Sequence, residues 1–205
     1  ANMKVFETNE ATVAALVASI ADGLAGAVTD DEQELSLSRL AETMELIEGG
    51  KDEVEKLFLK LFRASGGLEA IAALLEHARP TVHQLALMIL GNLGSDAVDA
   101  KAADTKAILR DLRVFPKIIA HLFSDNRTTL AIAAAAAQNL CTELDFVRLM
   151  HDMGAGQELQ KMAAMDDMQI RQCAEGCMAN MKHTIVADSA RRAIRAATKV
   201  QAHLR

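Results

Sequence analysis

The chain has 205 residues, 51% of them hydrophobic, enough to bury a sizeable core as one large domain or two small ones and to exclude disorder as the dominant state. Thirty-eight alanines stand against six phenylalanines, no tyrosine and no tryptophan, which favours close helix packing over strands and removes aromatic platforms for nucleic-acid bases or quaternary ammonium ligands. A formal charge of −6 argues against a nucleic-acid partner, since displacing counterions from phosphates needs a basic surface.

From the N-terminus, Ala-Asn-Met-Lys-Val has no apolar signal core. An initial Ala fits removal of a starting Met, which makes a cytoplasmic location the expectation, or cleavage of a transit peptide, which makes a plastid or other organelle the alternative. Apolar residues then recur at intervals of three and four, first Val13, Leu16, Val17, Ile20 and Leu24, then Leu37, Leu40, Met44 and Ile47, the spacing of amphipathic helices. Helix breaks are expected at Gly49-Gly50, Ser65-Gly66-Gly67, Arg79-Pro80, Gly94-Ser95-Asp96, Ser124-Asp125-Asn126 and Gly154-Ala155-Gly156. Ser95 to Thr105 reads as an exposed loop. No stretch alternates with period two, so no sheet is expected. The longest uninterrupted apolar run, Leu130 to Ala137, falls well short of the roughly twenty residues of a membrane span. A final helix is expected over 184–204, with Ile185, Val186, Ala190, Ile194, Ala197 and Val200 covering the end of the fold. From position 188 onward five cations face Asp188 alone, so the basic charge is concentrated there.

The chain repeats itself. Asn92, Asn139 and Asn180, each followed by Leu or Met, are 47 and 41 residues apart. Six residues before each stands Ala86, Ala133 or Ala174; seven before, Leu85, Ile132 or Cys173; twenty-one before, Ile71, Ile118 or Leu159. All suit buried slots. Twenty-six before each stands Gly66, Arg113 or Gly154, so two of the three copies have the glycine that a sharp helix-to-helix turn prefers for its positive φ. Each copy reads as a short helix, the turn, a second helix such as Leu68 to His77, and a longer third helix such as Thr81 to Leu93.

Ser65-Gly66-Gly67-Leu68-Glu69-Ala70-Ile71-Ala72-Ala73-Leu74-Leu75 and Leu90-Gly91-Asn92-Leu93, with Pro116 in the next copy, resemble the armadillo repeat family over residues 53 to 183. HEAT repeats are the nearest relatives in pattern. Departures are Arg113 for the turn glycine, His121 in a leucine slot, and a methionine-rich third copy. The resemblance implies an all-α, right-handed superhelical solenoid. Its parts would be N-terminal capping helices at 1–52, repeats at 53–94, 95–142 and 143–183, and a basic C-terminal capping helix at 184–205, forming one continuous domain.

In such proteins the third-helix asparagines line a groove and bond the backbone of a bound peptide, because a side-chain amide both donates and accepts. The resemblance carries this role to Asn92, Asn139 and Asn180; bracing of neighbouring loops is the alternative. One turn earlier on the same face stand Met88, Ala135 and Gly176, where importin-α-like proteins place tryptophan to sandwich lysines. A groove floored by Met, Ala and Gly suits a helix or an apolar segment better than a basic peptide. Arg191, Arg192, Arg195 and Lys199 form a candidate surface for an acidic partner or anionic lipid heads, or else a solvated face favoured by the helix dipole. Three cysteines suggest free thiols in a reducing compartment, and Cys173 and Cys177 align with core positions rather than with a metal site. No phosphate-binding loop or nucleophile elbow occurs, and Asp30-Asp31 and Asp166-Asp167 fall at expected helix starts. The expectation is a non-catalytic adaptor that binds a protein partner, with no cofactor and no metal. A structural subunit or assembly factor of a larger complex is the alternative, and the oligomeric state is left open.

Overall fold

The computed structural model describes residues 10–48 and 52–203, and the Gly49-Gly50 break lies outside them. Every regular element among these residues is helical. The chain divides into two compact units, Ala1–Leu112 and Arg113–Arg205.

In the first unit α1 (Glu10–Gly26) buries Val13, Val17, Ala21 and Leu24 along one face. α2 (Asp30–Glu48) buries Leu37 and Leu40. Its start is a capping box: Glu32 N–H donates to Thr29 Oγ1, and the N–H groups of Thr29 and Val28 donate to the Glu32 carboxylate at 2.9 and 3.0 Å. Those backbone donors hold the Glu32 carboxyl below its ordinary range. α3 (Asp52–Ala64) contributes Phe58, Leu59 and Phe62, the two rings stacked with centroids 5.9 Å apart. After the turn at Ser65 and Gly66 come α4 (Gly67–Ala73), continued by a short 3₁₀ turn (Leu74–Glu76), then α5 (Pro80–Leu93) and α6 (Ala102–Asp111). Proline opens α5 where its missing N–H costs nothing. Arg79, just ahead of it, meets Asp31 at 2.6 Å and Glu34 at 3.2 Å, tying the start of α2 to the start of α5.

The second unit holds α7 (Phe115–Ala120), a 3₁₀ turn (His121–Phe123), α8 (Arg127–Leu140), α9 (Leu144–Asp152), α10 (Ala155–Ala163) and α11 (Met168–His203). The Asn126 side chain caps α8 by accepting from Thr129 N–H at 3.1 Å. Asp167 does the same for α11, accepting from Gln169 and Ile170. Ala133, Ala134, Ala136 and Ala137 are buried on α8, along which α11 lies. Phe115 and Phe146 meet edge to face at 5.1 Å.

The turns keep the repeat register. Gly66, Arg113 and Gly154 all have left-handed backbone, at φ 80°, 57° and 74°, and Arg113 is the non-glycine residue with positive φ among the described residues. Ile71, Ile118, Leu159, Ala86, Ala133 and Ala174 are buried.

Three expectations are corrected. Leu85, Ile132 and Cys173 are half-buried rather than core. The segment from Ser95 to Thr105 is only in part an exposed loop: Asp96, Ala97, Ala100 and Lys101 are exposed, but α6 already begins at Ala102, and Ser95, Asp99 and Thr105 are buried. Buried Asp99 faces Arg63 on α3, and Lys106, only 3% exposed, meets Asp96 at 2.8 Å, so charge pairing draws the segment inward. There is also no separate final helix. α11 runs unbroken for 36 residues because nothing between Met168 and His203 carries the glycine turn or proline that ends a helix. Ile185, Val186, Ala190, Ile194 and Ala197 are exposed and cover nothing; the side chain of Val200 lies outside the described residues.

Left-handed backbone costs a non-glycine residue about 1–2 kcal/mol, and glycine gives back about half of that in unfolded-chain entropy. Arg113→Gly should therefore raise stability by about 0.5 kcal/mol, and Gly154→Ala, which has open space for its methyl group, should lower it by about 1 kcal/mol; urea midpoints check both. Asp99→Ala should cost about 3 kcal/mol, because it strands the buried Arg63 guanidinium.

Candidate functional site

Met88 and Asn92 stand one turn apart on α5 of the first unit, Met88 half-buried and Asn92 exposed. In the second unit Ala135 and Asn139 lie on α8 and Gly176 and Asn180 on α11, all four half-buried. Gln138, unremarked in the sequence, joins the last two. Its side chain lies over Gly176, where a Cβ would fall 2.5 Å from Gln138 Nε2. Its backbone carbonyl accepts from Asn180 Nδ2 at 2.9 Å. Asn180 thus braces α11 against α8, a helix-to-helix bond rather than the bracing of a neighbouring loop. The floor at Gly176 is covered by an amide and is not the open apolar slot that Met, Ala and Gly suggested. One turn farther along, Thr184 Oγ1 donates to the Cys141 carbonyl at 2.7 Å, fastening the C-terminus of α8 to α11.

At the same seam Cys141 and Cys177 bring their Sγ atoms to 3.1 Å. Both are buried, and neither they nor Cys173 form a disulfide. Cys177 takes a core position with Ile89 and Ala136, as its alignment implied. Cys141 is 36 residues distant in sequence, and no local spacing marks it as the neighbour. The hydrogen bond between Cys141 and Cys177, together with burial, pushes the Cys141 thiol well above its ordinary value. Burial, with Cys177 adding to it, raises half-buried Cys173. No three His, Cys, Asp or Glu side chains converge as a metal site among the described residues.

The first unit holds a buried charge cluster that sequence reasoning missed. Beside Arg63–Asp99 and Lys106–Asp96, a cleft of about 460 Å³ opens between Glu55 and Lys56 on α3 and the segment from Asp96 to Ala100. Thr105 Oγ1, buried on α6, has no hydrogen-bond partner. A signal existed: Lys106 is spaced with Ala102 and Leu109 on the buried face of α6, an unusual place for a cation.

Arg191, Arg192, Arg195 and Lys199 are all exposed on the distal part of α11. Arg192 pairs with Asp188 at 2.7 Å, and Asp188 lies 3.8 Å from Arg148. No helix among the described residues is long and apolar enough to cross a membrane.

No protein-family model matches the chain, and no curated protein matches it. Solved structures do. An engineered protein superposes with a TM-score of 0.65 at 20% identity, covering 86% of this chain and 68% of that one. A designed armadillo repeat protein gives 0.64 at 14% identity, covering 84% and 69%. A second designed armadillo repeat protein, in complex with a peptide (KR)4, gives 0.63 at 13%, covering 84% and 69%. The fold is an armadillo-like, all-α helical repeat.

A thiol-specific reagent applied to the native chain should label Cys173 alone, with Cys141 and Cys177 reacting only after denaturation. Because thiolate is the nucleophile and the Cys173 thiol is raised, its labelling rate at neutral pH should fall below that of an exposed cysteine and climb about tenfold per pH unit on the acid side of its pKa; mass spectrometry of labelled peptides resolves the three sites.

Proposed function

We propose that the chain is a non-catalytic protein-interaction scaffold that binds a peptide or amphipathic helix through the asparagine register of its repeats at 53–94, 95–142 and 143–183, with Met88 and Asn92 contributing from the first unit and Ala135, Asn139, Gly176 and Asn180 from the second. One observation carries the reading. A solvent-accessible asparagine recurs 26 residues after each left-handed turn, at 92, 139 and 180, and an amide at that register can pair with a peptide unit without reading its side chains, at 180 through its oxygen while its N–H holds Gln138. The designed armadillo protein in complex with peptide (KR)4 supports peptide binding by this fold. This chain has no tryptophan to sandwich cationic side chains, so its partner is an apolar or amphipathic segment.

Arg191, Arg192, Arg195 and Lys199 form a second, acid-seeking surface under this proposal. A permanent subunit or assembly factor of a larger complex is the second reading, and the exposure of Ile185, Val186 and Ile194 on α11 favours it. The scaffold requires neither cofactor nor metal, and its reduced thiols suit the cytoplasm or an organelle interior.

Asn139→Ala combined with Ala135→Arg should leave the helical circular-dichroism signal intact and weaken a partner identified by affinity purification by about tenfold or more, equivalent to about 1.4 kcal/mol. Unchanged affinity moves the interface elsewhere. In size exclusion of native extract followed by mass spectrometry of the fractions, a free scaffold elutes apart from other proteins, whereas a permanent subunit elutes only together with the other members of its complex.

A further inference from the structure

Two surfaces of this chain, one at each end of the sequence, are complementary in both polarity and charge. On α11, Ile185, Val186 and Ile194 are 50%, 59% and 66% exposed. The first two border an apolar cleft of about 330 Å³ that also includes Met178 and Met181. Val186, Ala190, Ile194 and Ala197 recur at helical spacing, so the distal helix presents one small, apolar stripe. Arg191, Arg195 and Lys199 run along its flank.

On the first unit, Leu35 and Leu46 share a face of α2 and are 51% and 80% exposed; Val28, just ahead of the helix, is 85% exposed. A shallow cleft of about 320 Å³ between α1 and α2 is bordered by Gly23, Gly26 and Leu35 and by the charged Asp22, Glu32 and Arg39, and a Cβ at Gly26 would meet nothing within 4 Å. Around this face stand exposed Asp22, Glu42 and Glu45. α2 carries seven carboxylates against Arg39 alone. Arg79 answers three of them, Asp30, Asp31 and Glu34, which leaves the distal half of α2 acidic.

We propose that the chain self-associates head to tail, the distal α11 of one copy docking on the α1–α2 face of a second copy. The occupant follows from the charges. Two α11 segments would repel each other, as would two α2 segments, whereas the small apolar stripe of α11 fits the glycine-lined cleft with arginines beside carboxylates. The contact is heterologous, so it builds chains or rings rather than a closed symmetric pair. It rests on the reading of α11 as acid-seeking and is independent of the asparagine face.

The test uses charge reversal in the full chain, with light scattering after size exclusion across a concentration series. The unmodified chain should show a mass of twice the monomer or more that falls toward the monomer as salt is raised, because exposed charge pairs are screened. Arg191→Glu with Arg195→Glu in one chain should give monomers, as should Glu42→Lys with Glu45→Lys in another. Mixing the two should restore association into alternating assemblies, since the intact acidic face of the first meets the intact basic helix of the second and the reversed helix of the first meets the reversed face of the second. Circular dichroism confirms that each variant is folded. A monomeric unmodified chain at every concentration, or a mixture that stays monomeric, overturns the proposal. So does an unmodified monomer that sediments with phosphatidylserine vesicles, which would assign the basic helix to a lipid surface. Asn139→Ala with Ala135→Arg should leave self-association unchanged, so loss of the groove reading and loss of this one are distinguishable.

Discussion

Everything that recurs in this chain is timed by one backbone constraint, a residue forced into left-handed conformation between two helices. Gly66, Arg113 and Gly154 each reverse the chain sharply enough that the next helix begins within a residue or two. Five positions later an apolar residue, Ile71, Ile118 or Leu159, is fully buried, and fifteen positions after that so is an alanine on the long helix. A turn of different geometry would rotate those positions away from the core. The constraint is strong enough that the second copy keeps it with an arginine, accepting a local cost that a glycine would avoid.

The two units hold their helices together by different chemistry. In the first, charge reaches inward: Asp99 and Lys106 are buried, facing Arg63 and the exposed Asp96, and Arg79 gathers acidic groups at the start of α2. Such pairs contribute little net stability over an apolar core, but they make misplacement of the 95–101 segment expensive, since an unpaired buried charge costs far more than the pair gains. In the second, neutral contacts dominate. Small alanine faces let α8 and α11 approach closely, and amide, hydroxyl and thiol groups of Gln138, Asn180, Thr184, Cys141 and Cys177 line the seam. A mutation in the first unit acts mainly through desolvated charge, while one in the second acts through fit.

Much of this was legible in the sequence because the repeat is carried by residues with strong local reasons: glycine for positive φ, asparagine at a fixed register, alanine where helices approach. The helical class, the turns and the deeply buried alanines followed from those. What escaped depends on pairings remote in sequence. Gln138 gave no sign that it would cover Gly176, and Cys141 could not be placed beside Cys177 without knowing that α8 lies along α11. The loop at 95–105 read as exposed because its polar residues had no visible partners; Arg63, in another helix, supplies one. The boundary placed at 184 came from the expected length of a repeat, yet no residue there stops a helix, and the backbone followed the local rule. Of the groove residues, the register was visible and the bracing bond of Asn180 was not.

At the first turn the ring of Phe62 occupies the space that a Cβ on Gly67 would need, at 2.5 Å. The corresponding pair within the second unit, by register, is Met150 with Ala155, both buried. The rigid ring at the earlier position goes with the absence of a side chain at the later, and the flexible methionine goes with alanine. At the first turn side-chain volume is thus shared between the end of one helix and the start of the next, and Gly67 cannot gain a side chain unless the ring of Phe62 gives way. A substitution tolerated in one copy would be rejected in another at the same register, so each turn is interchangeable between copies only together with the helix end that precedes it.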